Sequence, residues 1–237
     1  MKSYLENRQQ YVSFSNVDSD YRVINIGVPQ GSILGPLLFL IYINDIVQST
    51  SYFRPVIYAD DTSLGSCVGS FGQNIDSVRD NINKELDNVY IWLSLNKLSL
   101  NVNKTKAMIF HTIRKKVTAP QIKICDQIIE FVDSFNYLGV HLDKHLSWNV
   151  HLDVLSKKIS QISGILNRLK RFLPKSSLLT LYHSLVSSRL NYGILLWGCK
   201  ASQLDKVQKK IIRIIHCSKY NSHTEPLFKI SKIFKSV

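Results

Sequence analysis

The spacing of apolar positions divides the chain into a first stretch of short period-two segments and a later stretch of period 3.6. Tyr11–Ser15 and Tyr21–Ile26 alternate apolar and polar residues, which predicts two strands, with polar Asn16–Asp20 as the hairpin loop and Asp18 and Asp20 as turn residues. Met1–Gln10 reads as the last turns of a helix. The run Ile33–Ile43 is continuously apolar but contains Gly35 and Pro36 and is too short to span a bilayer, so it is expected to be a buried helix. Val56-Ile57-Tyr58 and Ser63-Leu64 flank Ala59-Asp60-Asp61-Thr62 and predict a tight hairpin with the acidic pair at or beside its tip. Ile75, Val78, Ile82, Leu86, Val89 and Leu93 recur at three and four residues and predict an amphipathic helix packed on the sheet. Ser99–Asn101 and Lys106–Phe110 read as short strands around a Lys-bearing turn, Thr112–Gln121 as a basic loop, and Ile122–Ile124, Ile128–Val132 and Tyr137–Leu142 as further strands.

From Ser147 onward the pattern is wholly helical. Leu152, Leu155, Ile159, Ile162, Leu166, Leu169 and Leu173 form one apolar stripe, which Pro174 ends. A second helix opens at Pro174 and runs through Leu178, Leu181, Tyr182, Leu185 and Val186. A third begins near Ser202, a capping residue with Asp205 three positions on, and carries Val207, Ile211, Ile214 and Ile215 opposite Lys206, Lys209, Lys210 and Arg213. The expected class is α+β: a mixed region over residues 1–146 and a helical bundle over 147–237.

Charge changes this picture more than composition does. The chain has 237 residues and a formal net charge of +13. Lys/Arg and Asp/Glu cancel in residues 1–150, so the helical third carries the whole excess, with Asp153, Asp205 and Glu225 as its acidic residues. A block of this kind is an electrostatic footprint for a polyanion, most simply nucleic acid, although a solvated helix face is the commoner explanation of any single lysine. Cys67, Cys125, Cys199 and Cys217 are scattered, with no Cys-x-x-Cys pair, which indicates neither a zinc ribbon nor a disulfide framework and suits an intracellular, nuclear or cytoplasmic, protein. No signal peptide or transmembrane segment is expected. His141 and His145 lie at a strand end and turn, where their spacing does not converge two rings, and read as structural or solvent-facing.

Asp60 and Asp61 are the chief candidates for chemistry. Two ionised carboxylates about 4 Å apart repel by roughly 4 kcal/mol at an effective dielectric of 20, which favours a cation between them. Carboxylate oxygens suit Mg²⁺. Taken alone, Asp-Asp is more simply a polar turn, and the metal reading gains weight only from what surrounds it. Gly27–Pro36 adds a glycine-bearing turn before a helix, in which Gly31 lets backbone approach a ligand and Ser32 can cap the helix.

Gly27–Pro36, Leu37–Asp45 and Tyr58-Ala59-Asp60-Asp61 resemble the reverse transcriptases of non-LTR (LINE-like), particularly jockey-like, retrotransposons. Leu98–Lys106, Phe135–Asp143 and Leu185–Trp197, with Arg189–Gly193 inside the last, are similar to further motifs of that family in the same order. The resemblance implies a partial polymerase palm over 1–146, followed by a thumb-like region over 147–237, and nucleotidyl transfer by two metals, Mg²⁺ or Mn²⁺. It makes Asp60 the principal metal ligand and Asp61 the secondary one, and Lys104 the proton donor to pyrophosphate, with Lys106 second. Gln30, Gly31 and Tyr58 would line the nucleotide and template pocket, and Tyr137, Leu138 and Gly139 would form the primer grip. A thumb that holds duplex would use Lys157, Lys158, Arg168, Lys170, Arg171, Lys206, Lys209, Lys210 and Arg213. The implied partners are an RNA template, a DNA primer and deoxynucleoside triphosphates. The family also has an upstream strand bearing another metal-binding Asp, which this sequence lacks. The expectation is therefore a reverse transcriptase fragment, inactive by itself and holding its metal weakly; the alternative is a non-catalytic nucleic-acid-binding remnant.

Overall fold

The computed structural model describes residues 2–67 and 75–233. They form two compact units, residues 1–105 with 120–129 and residues 106–119 with 130–237. The chain is a mixture of helices and small two-stranded sheets, consistent with the α+β class.

The first unit opens with α1 (Lys2–Leu5). The helix expected to reach Gln10 stops there, because Arg8–Gln10 is instead β1, paired antiparallel with β4 (Arg22–Ile24). Between them β2 (Ser13–Phe14) and β3 (Val17–Asp18) turn at Ser15 and Asn16, both with positive φ. The loop is thus Ser15–Asn16 rather than Asn16–Asp20, and Asp18 lies in a strand. Positive φ at both loop positions matches the twist of the flanking strands, so this tight turn displaces the longer loop.

Helix α2 (Leu34–Ile43) forms as expected and continues as a 3₁₀ turn, Asn44–Ser49. It is not a buried helix. Gly35 and Ile43 are buried, whereas Leu37, Leu40, Ile41 and Tyr42 are exposed. An apolar run shows that a helix has more than one apolar face, not that each face has a partner. Strands β5 (Arg54–Tyr58) and β6 (Asp61–Gly65) form the acidic hairpin. Helix α3 (Ile75–Leu95) packs on the 3₁₀ turn and on β8 (Lys123–Ile124), which pairs with β9 (Gln127–Ile128). Its Glu85 carboxylate accepts hydrogen bonds from the Thr50 hydroxyl at 2.6 Å and the Ser51 N–H at 2.9 Å, fastening the segment before β5.

Residues 99–101 are not a strand. Asn101 accepts the N–H groups of Lys104 and Thr105, so the segment folds into a turn. Of 106–110 only β7 (Lys106–Ala107) is extended, pairing parallel with β10 (Glu130–Phe131) in the second unit. The strand expected over Tyr137–Leu142 is a hairpin, β11 (Ser134–Tyr137) and β12 (Val140–Asp143), turning at Leu138–Gly139.

Helices follow in order: α4 (Asn149–Leu169), α5 (Lys175–Tyr182), α6 (Ser188–Asn191), α7 (Ile194–Trp197) and α8 (Ser202–Ile215). A π turn, His183–Ser187, joins α5 to α6, and α9 (Glu225–Ser231) comes last. Ser202 does not cap α8: Ala201 holds the N-cap position and no side chain caps it. The stripe Leu152, Leu155, Ile159, Ile162 and Leu166 meets Leu204, Ile211, Ile212 and Ile215 around fully buried Trp197 and Tyr182. The Gln208 amide donates to the Tyr182 hydroxyl at 2.8 Å, which satisfies two polar groups inside this core.

The hairpin β11–β12 belongs to the same unit as the helices. The change after residue 146 is therefore one of secondary structure, not of packing unit. Asp143 makes the junction: its carboxylate accepts the N–H groups of His145, Ser147 and Trp148 and the Ser147 hydroxyl, all at 3.0–3.1 Å.

Candidate active site

The acidic hairpin has an anchored face and an open face. Its register pairs Pro55 with Leu64, Ile57 with Thr62 and Tyr58 with Asp61. Ile57 and Leu64 pack against buried Ile43, Ile46 and Val89, which fixes the hairpin to α2 and α3. Residues directly opposite in an antiparallel pair share a face, so Asp61 stands beside Tyr58 on the side away from that core. Tyr58 is exposed, as are Asp60 and Asp61.

The turn itself is unusual within this chain. The hairpins turning at Ser15–Asn16, Cys125–Asp126 and Leu138–Gly139 have positive φ at both loop residues. At Ala59–Asp60 only Ala59 does, at +51°. A residue with a Cβ in that region is strained by roughly 1–2 kcal/mol, the kind of backbone cost that collects at functional turns. Strain at Ala59 leaves Asp60 at the tip and Asp61 as the first residue of β6, both open to solvent.

Openness changes the electrostatic argument. In bulk water two unit charges at about 4 Å repel by only about 1 kcal/mol, so the pair does not require a counter-cation. Neither carboxylate forms an ion pair among the described residues. They remain hard oxygen donors on consecutive residues, a donor set that fits a divalent cation shared with other ligands. Among the described residues no group of three His, Cys, Asp or Glu side chains converges on a metal position.

The glycine-bearing turn lies in the same unit. Ser32 Oγ donates to the Pro29 carbonyl at 2.7 Å and accepts the Gly35 N–H at 3.1 Å, so it does support the start of α2. Gly31 has φ +81° and open space where a Cβ would stand, and Gln30 beside it is exposed. Gly35 is the tighter position, since a Cβ there would meet Ser32 Oγ at 2.9 Å. Its role follows from the turn folding back on the helix, which spacing alone did not reveal. Lys104 is exposed on the turn after Asn101. Lys106 belongs to the other unit, with its ammonium 2.6 Å from Glu130 across β7 and β10.

The family described as reverse transcriptase (RNA-dependent DNA polymerase) matches residues 1–142, which include the glycine turn, α2, the acidic hairpin and Lys104. The chain belongs to this family. Among curated relatives, the probable RNA-directed DNA polymerase from transposon X-element of Drosophila melanogaster is 28% identical over 91% of this chain and 24% of its own length. The corresponding protein from transposon BS of the same fly is 29% identical over 91% of the chain and 25% of its own length. The RNA-directed DNA polymerase from mobile element jockey, also of Drosophila melanogaster, is 25% identical over 99% of the chain and 26% of its own length. This reverse transcriptase segment thus spans about a quarter of the curated relatives it matches.

Tyr137, Leu138 and Gly139 lie at a tight turn in the second unit. Leu138 and Gly139 have φ of +47° and +82°, and the Tyr192 hydroxyl donates to the Leu138 carbonyl at 2.6 Å. The tip of β11–β12 is thereby tied to the loop between α6 and α7. Tyr192 was not singled out as a site residue in the sequence; the motif Arg189–Gly193 contained it without showing what it touches.

The basic residues do not form a single face. Lys170, Lys210 and Arg213 line one groove between α4 and α8. Lys206 is exposed one helical turn before Lys210. Lys209 is held by Asp205 at 2.5 Å. Lys157, Arg168 and Arg171 are exposed. Lys158 is also exposed, but it is two positions from Ser160 of the groove, about 200° around α4 at 100° per residue. His151 is buried against His141 and Trp197, and the T-shaped pair His111–His145 rests on the second unit's loops. These contacts account for the histidines as structural groups. Among the described residues no helix is long and apolar enough to cross a membrane.

Proposed function

We propose that this chain provides the core of an RNA-directed DNA polymerase of a non-LTR retrotransposon, with a polymerase palm over 1–146 and a thumb over 147–237. The observation that carries the reading is the family match over a chain whose adjacent carboxylates stand on a strained, core-anchored hairpin. Asp60 and Asp61 hold Mg²⁺ or Mn²⁺. When bound, the metal supplies activation of the primer hydroxyl and neutralises charge on the leaving pyrophosphate. Lys104 gives its proton to pyrophosphate. Gln30, Gly31 and Tyr58 face the nucleotide and template, and the turn Tyr137–Gly139, steadied by Tyr192, grips the primer end. The substrates are an RNA template, a DNA primer and deoxynucleoside triphosphates, and the setting is intracellular.

Two carboxylates from one turn leave this two-metal site short of a ligand, so residues 1–237 alone should give no primer extension on an RNA template with Mg²⁺ or Mn²⁺. Robust templated extension by the purified chain would overturn that part of the proposal. The second reading, a nucleic-acid-binding remnant without catalysis, draws support from the concentration of basic residues in the helical third. Duplex binding together with absence of Mn²⁺ binding at Asp60 would favour it.

A further inference from the structure

We infer that the groove between α4 and α8 is a seat for a phosphate group. It lies within the second unit as an open cleft of about 280 Å³, enough for a phosphate and some of its hydration. The lower wall is one face of α4, on which Ser160, Ser163, Gly164 and Asn167 recur at helical spacing, with Lys170 at its C-cap. Opposite stand Lys210 and Arg213 of α8, and none of the residues lining the groove is acidic.

Three observations point to an oxyanion rather than to a merely solvated basic surface. Ser163 is only 1% exposed, yet its hydroxyl has no hydrogen-bond partner among the described residues. A buried hydroxyl left unpaired is unfavourable and is uncommon in folded proteins. Gly164, which also lines the groove, leaves open space where a Cβ would stand. The Arg213 guanidinium is also held in place: its Nε donates to the Ser222 carbonyl at 2.9 Å, and its carbon lies 5.9 Å from the centre of the Tyr220 ring. A guanidinium fixed through Nε and stacking keeps its remaining fork donors in a defined direction, which suits phosphate.

The competing explanation is that basic residues near helix C-termini simply complement the helix dipoles. Two such termini contribute about −0.5 charge each, against three cations at the groove, so the balance still favours an anion. The dipole explanation also gives no role to Ser163. A backbone phosphodiester and free phosphate share the required chemistry. The inference draws on the nucleic-acid reading only for the source of the phosphate, not for the existence of the site.

The test is amide NMR of the full chain, titrated separately with inorganic phosphate and with an RNA–DNA duplex. Phosphate should give saturable shifts at Ser163, Gly164 and Asn167. Lys210→Gln should weaken its binding roughly tenfold, and Ser163→Ala several-fold, the range expected for losing one charge-assisted hydrogen bond and one neutral one. Ser163→Ala should melt no lower than the wild type, because the hydroxyl it removes has no partner within the protein. Absence of saturable shifts, or unchanged phosphate affinity in both variants, would overturn the site. A marked loss of stability in Ser163→Ala would also overturn it, by showing that the hydroxyl serves the fold. Phosphate shifts without duplex shifts at these amides would support the site while contradicting nucleic acid as its source.

Discussion

The two units of this chain solve the problem of burial differently. In the helical unit, α4, α5 and α8 close around Trp197, Tyr182, Leu166 and Ile211, each essentially inaccessible to solvent. In the unit that bears the acidic hairpin, the cluster under the hairpin consists of Ile43, Ile46 and Val89 with half-buried neighbours, while Ile33, Leu37, Leu40 and Ile41 remain exposed. The contrast shows that the acidic turn rests on a modest cluster, whereas the most fully buried side chains lie in the unit that carries the basic excess. Stability and catalysis should therefore respond to different substitutions.

The largest expected effect is on packing. Trp197→Ala should cost about 3–5 kcal/mol, because a fully buried aromatic side chain leaves a cavity and gives up its hydrogen bond to the Tyr192 carbonyl. Ile41→Ala, at an exposed position of α2, should lie within about 0.5 kcal/mol of the wild type. Equal losses in denaturant unfolding would erase the distinction between the units.

A smaller effect separates the lysines of α8. Removing Lys206, Lys209 and Lys210 together should flatten the dependence of log duplex affinity on log salt by about two units rather than three, since each phosphate contact contributes about 0.9. Lys209 is already engaged by Asp205, and Lys206 and Lys210 are the exposed members. Titration of a primer–template duplex at several salt concentrations checks this, with sequence preference unchanged. Equal slopes in wild type and variant would remove the duplex-facing role of α8.

The smallest and most gradual effect is that of pH. Burial, with help from His141 and Lys158, holds the His151 pKa below its ordinary value of 6.5. Burial together with Lys175 does the same for His216. The neutral rings have work to do: His151 Nδ1 accepts the His141 N–H at 3.3 Å, and His216 Nδ1 lies 3.2 Å from the Lys175 ammonium. For both groups the unfolded chain binds protons first, so the stability they contribute is complete above about pH 6.5 and is lost as pH falls towards their folded values. Asp143 adds a later loss. Burial alone would raise its pKa, but the N–H groups of Ser147, His145 and Trp148 and the Ser147 hydroxyl lower it below 3.8. In the other unit the Thr50 hydroxyl, acting against a small desolvation, is the main influence lowering Glu85 below 4.5, so its contribution persists to more acid pH. Hydrogen exchange should show the helical unit loosening first as pH falls below about 6.5, before the unit that holds Glu85; simultaneous loosening of both units would contradict this ordering.

Much of the site was legible in the sequence because it depends on local chemistry. Val56–Tyr58 and Ser63–Leu64 around Asp60-Asp61 specify a hairpin almost by themselves, and the register with Tyr58 opposite Asp61 follows from the short turn. The long helices α3, α4 and α8 were equally plain from their apolar spacing. What the pattern could not show was which neighbour covers which face. It placed α2 in the interior although Leu40 and Ile41 face solvent, and it treated nine basic residues as one surface although Lys209 is committed to Asp205. Asp143, Tyr192 and Ser163 were missed for the same reason: the partner of each, or its want of one, is set by tertiary packing rather than by neighbouring sequence.

The central claim is that the acidic turn holds the catalytic metal, and paramagnetic Mn²⁺ tests it most directly. Added to the full chain, Mn²⁺ should broaden the amide signals of Tyr58 to Thr62 before any others, and Asp60→Asn should abolish that broadening while leaving the unfolding transition unchanged. Broadening centred elsewhere, or persisting undiminished at these residues in Asp60→Asn, would contradict the account.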